Sequence, residues 1–315
     1  MHVLITGAAG MIGRKLAENL TKDSGSGVSH LTLVDIAAPD GPEDSSEEVI
    51  DCTALDLEDE HAISAQVARR PDVIVHLAAV VSGEAEADLE KGYRVNFDGT
   101  RALFEAVRAQ EDYCPRLIFA SSIAVFGVPF PDPIPVDFHL TPLTSYGTQK
   151  AMSELMLADY SRRGIFDGVG LRLPTICIRP GAPNKAASGF FSNILREPLA
   201  GQPAVLPVDD SVRHWHASPR AAMGFLRHAV SMDTTPLGAR RNLTMPGLSA
   251  TVAEQIAALE RAAGPGAVGL IRREPDPVIR GIVAGWPTRF DASRAEGFGF
   301  KGDESFDAII AAHIE

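Results

Sequence analysis

The 315-residue sequence predicts an α/β fold built on a doubly wound parallel sheet. Short, continuously apolar runs recur through its first half, and segments with helical spacing of apolar residues separate them. Such runs are typical of parallel strands whose two faces are both covered by helices. Strands are predicted over residues 3–5, 31–34, 73–77, 117–120 and 169–173, and helices over 13–20, 92–110 and 145–163.

The regular alternation ends near Arg179, after which Gly and Pro become more frequent. One further amphipathic helix is predicted over residues 251–263. We therefore expect a Rossmann-type domain over residues 1–178, with returns near 214–245. Residues 179–315 should form mainly a smaller C-terminal region that packs on the carboxyl edge of the sheet. Ligands bind at that edge in such folds, so this region is expected to bind the substrate.

The composition excludes several classes of protein. Hydrophobic residues make up 45 % of the chain, which is enough to bury a sizeable core. The net charge of -12, with no basic run, argues against nucleic acid and anionic membranes as partners. No signal peptide or membrane span is expected from the N-terminal sequence, so the cytoplasm is the expected compartment. Cys52, Cys114 and Cys177 offer no disulfide framework and are expected to fill the core, since each lies near an apolar run.

A glycine-rich turn links the first predicted strand to the first predicted helix. Its sequence is Thr6-Gly7-Ala8-Ala9-Gly10-Met11-Ile12-Gly13. Glycine is needed where such a turn is tight, where the backbone approaches a pyrophosphate and where the helix meets the strand. The helix N-terminus offers free N–H groups and the positive end of its dipole to that anion. The pattern in this context predicts a dinucleotide site, rather than a purely structural turn, formed by Gly7, Gly10, Met11, Ile12 and Gly13.

A carboxylate at the end of the second predicted strand indicates which dinucleotide binds. Asp35 lies 22 residues beyond Gly13, where it can accept hydrogen bonds from both ribose hydroxyls of adenosine. It would repel a 2′-phosphate, and no Arg or Lys follows in residues 36–41, so NAD is expected rather than NADP. The alternative is that Asp35 only caps a loop. Further candidates for contact with NAD follow a third apolar stretch, which precedes Asp56, and the strand predicted over residues 73–77: Asp56, Leu57, Leu77, Ala78 and Ala79.

Tyr146 and Lys150 are four residues apart on a predicted helix, which places both side chains on one face. A tyrosine with a pKa of about 10 is a poor base, and a nearby ammonium would stabilise the phenolate and lower that pKa. Lys150 can also bind the nicotinamide ribose. Ser122, just after the strand predicted over residues 117–120, can orient the reacting oxygen towards Tyr146, with Ser121 as the competing candidate. Because such Tyr–Lys pairs also occur on solvated helix faces, the prediction of hydride transfer depends on their combination with the glycine turn and the serine strand.

Several segments together resemble the extended short-chain dehydrogenases/reductases, over essentially the whole chain. They are residues 6–13, Asp35 and residues 76–79, 96–100, 121–127 and 146–150. The resemblance implies that Ser122, Tyr146 and Lys150 form a catalytic triad. It also implies that the surroundings of the triad include Asn96, Pro174 and Thr175. Of these, Asn96 would support the active-site helix beside the cofactor, and Pro174 and Thr175 would border the nicotinamide. Family members are often dimers packed through the Tyr–Lys helix, so a homodimer is expected.

Two departures from the members that act on nucleotide sugars indicate a smaller substrate. Ile123 stands where sugar dehydratases commonly carry an acidic residue. An Arg-Asp-Phe-Val-His-like run of the epimerases is replaced by Arg213-His214-Trp215-His216-Ala217-Ser218. Residues 80–88 and 286–295 are similar to segments of the D-erythronate dehydrogenases, which oxidise a four-carbon sugar acid with NAD. The resemblance therefore implies oxidation of a hydroxyl on a small sugar acid, with D-erythronate as the first candidate and Tyr146 as general base.

A small carboxylate substrate requires a cation or clustered N–H donors. Arg213 is the first candidate, because the matching position in nucleotide-sugar relatives binds phosphate; a surface ion pair is the alternative. Ser82 is a further candidate to hydrogen-bond the substrate. Other possible cations are Lys185, Arg172 and Arg289. His214 and His216 have no evident third ligand nearby, so no metal site is expected.

Two other functions stay open on the sequence alone. A nucleotide-sugar 4-epimerase would use the same Tyr–Lys chemistry, and a non-catalytic NAD-binding regulator would use the same fold. The complete set of Ser122, Tyr146 and Lys150 argues against the regulator. The sequence leaves open which hydroxyl is oxidised and in which direction the reaction runs.

Overall fold

The centre of the fold is a sheet in which every strand pair is parallel. A computed structural model describes residues 1–22, 25–43, 49–181 and 187–314. The strands in these ranges are β1 (His2–Thr6), β2 (His30–Asp35), β3 (Val49–Ala54), β4 (Val73–His76), β5 (Arg116–Ser122), β6 (Asp167–Leu173), β7 (Thr175–Ile176), β8 (Ala204–Leu206), β9 (Arg213–Ala217), β10 (Asn242–Thr244), β11 (Leu248–Thr251) and β12 (Ile271–Arg273). Seven of them form the central sheet in the order β10-β6-β5-β4-β1-β2-β3. This order confirms the predicted doubly wound, Rossmann-type α/β fold.

Helices pack on both faces of this sheet and around its carboxyl edge. They are α1 (Met11–Lys22), α2 (Glu60–Val67), α3 (Ser82–Ala87), α4 (Leu89–Gly92), α5 (Gly99–Arg108), α6 (Ser145–Arg162), α7 (Gly189–Leu199), α8 (Pro219–Ser231), α9 (Val252–Val268), α10 (Pro277–Val283), α11 (Ser293–Gly297) and α12 (Phe306–Ile314). Short 3₁₀ turns cover Ile123–Val125 and Thr235–Leu237. None of the helices in the described ranges has the length and apolar character needed to cross a bilayer.

Consecutive residues of β1 show why the strands are apolar throughout. Val3 and Ile5 are buried in a cluster that includes Leu226 of α8. Leu4, between them, is buried on the opposite face in a cluster with Phe104 of α5. Because a strand in this sheet buries both of its faces, nearly every position favours an apolar residue.

The predicted continuous helix over residues 92–110 is interrupted in the structure. A π-helical turn, Tyr93–Asp98, lies between α4 and α5. It is marked by a hydrogen bond from the N–H of Gly99 to the carbonyl of Arg94, five residues earlier. The helix of residues 251–263 is confirmed as α9, which continues to Val268 across a kink at Gly264.

A second apolar cluster lies in the C-terminal part of the chain. It joins residues of α7, α9 and α12, including Phe191, Leu259 and Ile309. A small sheet in the order β11-β9-β7 runs beside it, with β7 coming directly after β6 of the central sheet. The chain returns to the central sheet through β10, which pairs with β6.

The expectation that all three cysteines fill the core is wrong for two of them. Cys177 is buried, whereas Cys52 and Cys114 are exposed. Cys52 lies on β3 at the edge of the sheet, where most side chains face solvent. Cys114 lies in the segment just before β5, so proximity to an apolar run did not imply burial.

Candidate active site

The glycine turn forms a tight cradle between β1 and α1. Gly7 has a φ of +76°, and a Cβ there would lie 2.6 Å from the backbone nitrogen of Ala78. A Cβ on Gly13 would lie 2.4 Å from the carbonyl oxygen of Gly7. Gly10 is exposed, and the nearest atom to a Cβ there is the Gly7 oxygen at 3.2 Å. Glycine is therefore required at Gly7 and Gly13, where backbone atoms pack against the turn. The open side of the turn, at Gly10 and the start of α1, leaves room for a pyrophosphate.

Asp35 ties the end of β2 to this turn. One carboxylate oxygen accepts the N–H of Ala9 at 2.9 Å, and the other accepts the N–H of Ile36 at 2.7 Å. Each carboxylate oxygen can accept a further hydrogen bond, so the side chain retains capacity for hydroxyl donors. In the described parts of the chain no Lys or Arg forms an ion pair with Asp35.

The other predicted dinucleotide contacts lie around the same edge of the sheet. Asp56 is exposed and accepts the N–H of Glu58, while Leu57 is buried beneath Gly99. The segment after β4 passes directly against the glycine turn. It consists of Leu77, Ala78 and Ala79.

The two serines at the end of β5 face in different directions. Ser121 is buried and donates to the carboxylate of Glu154 at 2.5 Å. Ser122 is partly exposed, and its hydroxyl oxygen accepts the N–H of Ala124 at 3.1 Å. That contact leaves the Ser122 proton free to be donated. The Ser122 hydroxyl lies beside the phenol of Tyr146 and lowers the pKa of that group.

Tyr146 and Lys150 both lie on α6, whose first turn is capped by Thr144. The Lys150 ammonium is buried, donates to the carbonyl of Ala120 at 2.8 Å and lies 5.7 Å from the centre of the Tyr146 ring. Burial lowers the pKa of Lys150 to about 8, against the opposing effect of the Glu154 carboxylate. The lysine is therefore still a cation at neutral pH and lies close to both the tyrosine and the end of β5.

The charge that acts most directly on Tyr146 comes from a residue that sequence reasoning missed. Burial raises the pKa of Tyr146, and the guanidinium of Arg179 and the contact with Ser122 both oppose this shift. Arg179 follows β7, and its side chain donates to the carbonyl of Ile176 at 3.0 Å and to the hydroxyl of Ser188 at 2.9 Å. Arg179 thus adds a second cation that favours the phenolate, and the expected effect of Lys150 on the pKa of Tyr146 stays a prediction. The only signal for Arg179 in the sequence is its place just after the strand that leaves β6.

Arg179 has no carboxylate partner among the residues that the structure describes. Its charge reaches the buried ring of His214 as well as Tyr146. Among the described residues, Ile176 and Ser188 accept two of its five N–H donors, and the other three have no partner there.

Three of the four predicted cations form ion pairs, and the fourth lies outside the described residues. Arg213 donates to the carbonyl of Ser249 at 2.9 Å and pairs with Glu254 at 3.3 Å. This contact is the ion pair given above as the alternative for Arg213, and its expected role in binding the substrate stays a prediction. The remaining candidates are Arg172, paired with buried Glu154, Arg289, paired with Asp132, and Lys185, which lies outside the described residues.

Asn96 holds α6 in place from the π-helical turn. Its side-chain amide donates to the carbonyl of Val80 at 3.2 Å and to the Gln149 side chain at 2.8 Å, and its oxygen accepts the N–H of Val80 at 2.8 Å. A second link is made by Glu86 of α3, which accepts the N–H of Ser145 at 2.9 Å. The residues flanking Tyr146 are thus fixed to the segment that follows β4.

The remaining predicted residues border the same cleft. Ser82 begins α3, and Pro174 and Thr175 lie at the end of β6, where Pro174 is buried and Thr175 is partly exposed. The Thr175 hydroxyl lies 2.7 Å from a ring nitrogen of His214. The site therefore combines the glycine turn, which can bind a dinucleotide, with the side chains of Ser122, Tyr146, Lys150 and Arg179.

This fold and this site define the class of protein: the chain belongs to the NAD dependent epimerase/dehydratase family, whose sequence pattern matches residues 3–222. It is 44% identical over 322 residues to D-erythronate dehydrogenase from Cupriavidus necator, with 100% of this chain and 98% of that protein covered. It is 40% identical over 315 residues to D-erythronate dehydrogenase from Haemophilus influenzae, with 100% and 99% covered. A crystal structure described as the nucleoside-diphosphate-sugar epimerase from Agrobacterium tumefaciens matches it with a TM-score of 0.96 at 59% identity, over 100% of this chain and 93% of that one.

Proposed function

We propose that the chain is an NAD-dependent dehydrogenase that oxidises one hydroxyl of a small sugar acid, with D-erythronate as the first candidate. The observation that carries this proposal is the guanidinium of Arg179, which has no carboxylate partner in the described residues and acts on the phenol of Tyr146. A substrate with a carboxylate a few bonds from its reacting hydroxyl would match these two groups. The full-length similarity to two D-erythronate dehydrogenases supports the same substrate class.

NAD is the cofactor that the cradle fits. The open side of the turn at Gly10 can admit a pyrophosphate, and the start of α1 provides backbone N–H donors for it. Asp35 retains acceptor capacity for the adenosine ribose hydroxyls and would repel a 2′-phosphate. When bound, the nicotinamide supplies the ring that takes up the hydride.

Tyr146 is proposed as the general base for the substrate hydroxyl. Its proton acceptor is the phenolate, which Arg179 and the hydroxyl of Ser122 both favour. The Ser122 hydroxyl, whose oxygen accepts the N–H of Ala124, can donate its hydrogen to the phenol of Tyr146 or, once a substrate is bound, to the reacting oxygen. Lys150, still cationic at neutral pH, adds positive charge near the phenol and is placed to hold the nicotinamide ribose.

Arg179 replaces Arg213 as the proposed anchor of the substrate carboxylate. A guanidinium can hold a carboxylate with two parallel hydrogen bonds, and three of the Arg179 donors are not used by Ile176 or Ser188. The same cation would then orient the substrate and favour the phenolate of Tyr146. Arg213, already paired with Glu254, would have to break that pair to serve this role.

A nucleotide-sugar epimerase is the second candidate, favoured by the description of the Agrobacterium structure at 59% identity. An epimerase uses the same proton and hydride transfers but returns the hydride to the substrate, so no NADH accumulates. One observation counts against the epimerase. Arg213 stands where nucleotide-sugar relatives bind phosphate, but its side chain contacts Ser249 and Glu254.

A substrate screen tests the proposal directly. The purified chain is mixed with NAD and four- or five-carbon aldonic acids, and NADH absorbance is followed beside parallel reactions with UDP-sugars analysed for epimers. We expect NADH to form with an aldonic acid and no UDP-sugar to be converted. Epimerisation without NADH formation would replace the proposal by the epimerase, and NADH binding without turnover of any substrate would favour the non-catalytic regulator.

We also propose a homodimer formed through α6. Leu155, on this helix, has 66% of its surface exposed, and Leu89 of the adjacent α4 has 57% exposed. Exposed leucines on neighbouring helices are a surface that association would cover. Light scattering should give the mass of a dimer for the wild type and that of a monomer for Leu155→Glu; a monomeric wild type would contradict this.

A further inference from the structure

A chain of hydrogen bonds connects the cofactor side of the cleft to the C-terminal segment. The hydroxyl of Thr175 lies 2.7 Å from Nε2 of His214, and Nδ1 of His214 lies 2.9 Å from the carbonyl oxygen of Pro287. The His214 ring is buried and stacks on Phe191, with ring centres 5.3 Å apart and planes 5° apart. Trp286 lies on the ring as well, at 5.1 Å. The imidazole therefore has one fixed position and two defined partners.

The direction of each hydrogen bond follows from the chemistry of the partners. A carbonyl oxygen can only accept, so Nδ1 of His214 must carry the proton that it donates to Pro287. Burial lowers the pKa of His214 to about 4, so at neutral pH the ring holds that one proton. Nε2 is then an acceptor, and the Thr175 hydroxyl must donate its hydrogen to it. The Thr175 oxygen keeps only lone pairs for any other contact.

We propose that Thr175 is a hydrogen-bond acceptor for an O–H or N–H group of a bound ligand, and that His214 is the positioning residue that imposes this polarity. This rests on the proposed function, which places NAD and a polyhydroxy acid in the cleft. Thr175 is the first residue of β7 and is partly exposed, and Arg179 lies nearby, because its side chain donates to the carbonyl of Ile176 at 3.0 Å. Two ligand groups have the required chemistry: a second hydroxyl of the sugar acid and the carboxamide N–H of the nicotinamide.

His216 provides a matched control two residues further along β9. It is also buried, and its Nε2 lies 3.0 Å from the side-chain amide of Gln255, which is itself buried. Its other nitrogen, Nδ1, has no partner among the described residues. His216 is the register partner of Thr175 between β7 and β9, and its ring lies 5.4 Å from that of His214, but the Thr175 hydroxyl bonds to His214 and not to His216. The same substitution at His216 therefore disturbs an adjacent buried imidazole while leaving the hydrogen bond of Thr175 in place.

The test uses three single variants, Thr175→Val, Thr175→Ser and His214→Asn, and a double variant that combines Thr175→Val with His214→Asn. Each is compared with the wild type and with the control His216→Asn. Thr175→Val removes the hydroxyl at nearly constant volume, and Thr175→Ser restores it. An Asn at position 214 can still donate to Pro287 but no longer reaches Thr175 as an acceptor. Steady-state kcat/KM, NADH affinity by fluorescence and the melting temperature of the ligand-free protein are measured for each.

We expect Thr175→Val and His214→Asn each to lower kcat/KM or NADH affinity by about 10-fold, because one ligand hydrogen bond is lost. Thr175→Ser should restore most of the loss. The double variant should be no worse than about twofold below either single variant, since both remove the same interaction. His216→Asn should lower the melting temperature but leave kcat/KM within about twofold of the wild type.

The two ligand donors are separated with 3-acetylpyridine adenine dinucleotide, which carries an acetyl group in place of the carboxamide. A Thr175→Val loss that disappears with this analogue identifies the carboxamide as donor, and one that persists identifies a substrate hydroxyl. The proposal is overturned if Thr175→Val leaves both kcat/KM and NADH affinity within about twofold of the wild type, or if the losses of the two single variants multiply in the double variant. If the wild type oxidises no hydroxy acid, the proposed function fails, and NADH affinity alone then decides this inference.

Discussion

Replacing Arg179 by Met should raise the KM for erythronate strongly while the fold and NADH binding persist. The guanidinium uses two donors on Ile176 and Ser188, and its other three donors have no partner among the described residues. A hydrogen bond to a charged group is worth about 1.5–3 kcal/mol, which corresponds to a rise in KM of about 10- to 150-fold. Because Arg179 also opposes the upward shift in the pKa of Tyr146, kcat at neutral pH should fall as well.

The assay follows NADH formation with erythronate and with its uncharged amide. Arg179→Met should weaken the reaction of the acid far more than that of the amide, because only the acid offers a carboxylate to the cation. Arg213→Met is the matched control and should change KM by less than about threefold, as expected for an exposed ion pair. An unchanged KM in Arg179→Met, together with a large rise in Arg213→Met, would refute the assignment of the anchor and return it to Arg213.

Five other substitutions have defined outcomes. Tyr146→Phe should lower kcat by about 10²–10⁴-fold with NADH titration unchanged, since the ring remains; a near-normal kcat with the wild-type pH profile would show that Tyr146 is not the base. Gly13→Ala should lower the melting temperature sharply, because its Cβ would lie 2.4 Å from a backbone oxygen, whereas Gly10→Ala should fold normally but bind NADH at least about 10-fold more weakly; the reverse pattern would contradict the cradle. Asp35→Ala should narrow the preference for NAD over NADP, and equal turnover of both by the wild type would count against the role of Asp35. Burial lowers the pKa of Lys150 from 10.5 to about 8. The buried ammonium therefore destabilises the folded state fully below pH 8, and this destabilisation decreases as the pH rises towards 10.5. Ligand-free Lys150→Met should therefore melt above the wild type at pH 7, with a difference that shrinks above pH 8 and NADH binding that is weaker; a difference that grows with pH would exclude this reasoning.

Features that depend on a short stretch of chain could be predicted from the sequence. Gly7 and Gly13 stand in a strand–turn–helix segment, where the local geometry fixes what glycine must do. The spacing of Tyr146 and Lys150 places them on one helix face whatever the rest of the fold does. The choice between Ser121 and Ser122 was harder, because alternation along a strand shows that they face opposite sides but not which side is the cleft.

Features that depend on distant segments could not be predicted in this way. Arg179 follows β7 and is far from Tyr146 in sequence, so its effect on the phenol depends on how distant segments pack together. Arg213 was favoured by analogy of position, and nothing in the sequence showed that Glu254 would pair with it. The strand β3 appeared only as an apolar stretch before Asp56, because an edge strand with mostly exposed residues has a weak apolar pattern.

Because of the π-helical turn Tyr93–Asp98, the number of residues between α4 and α5 determines which way Asn96 points. A π turn holds one residue more than the α-helix it interrupts, and each residue of an α-helix rotates the side-chain direction by about 100°. Deleting one residue from this turn would let α4 and α5 join as a regular helix and would swing Asn96 away from Val80 and Gln149. In comparisons among relatives, a single-residue gap at this place therefore marks a change in how the tyrosine helix is held, even where every residue of the cleft itself is identical.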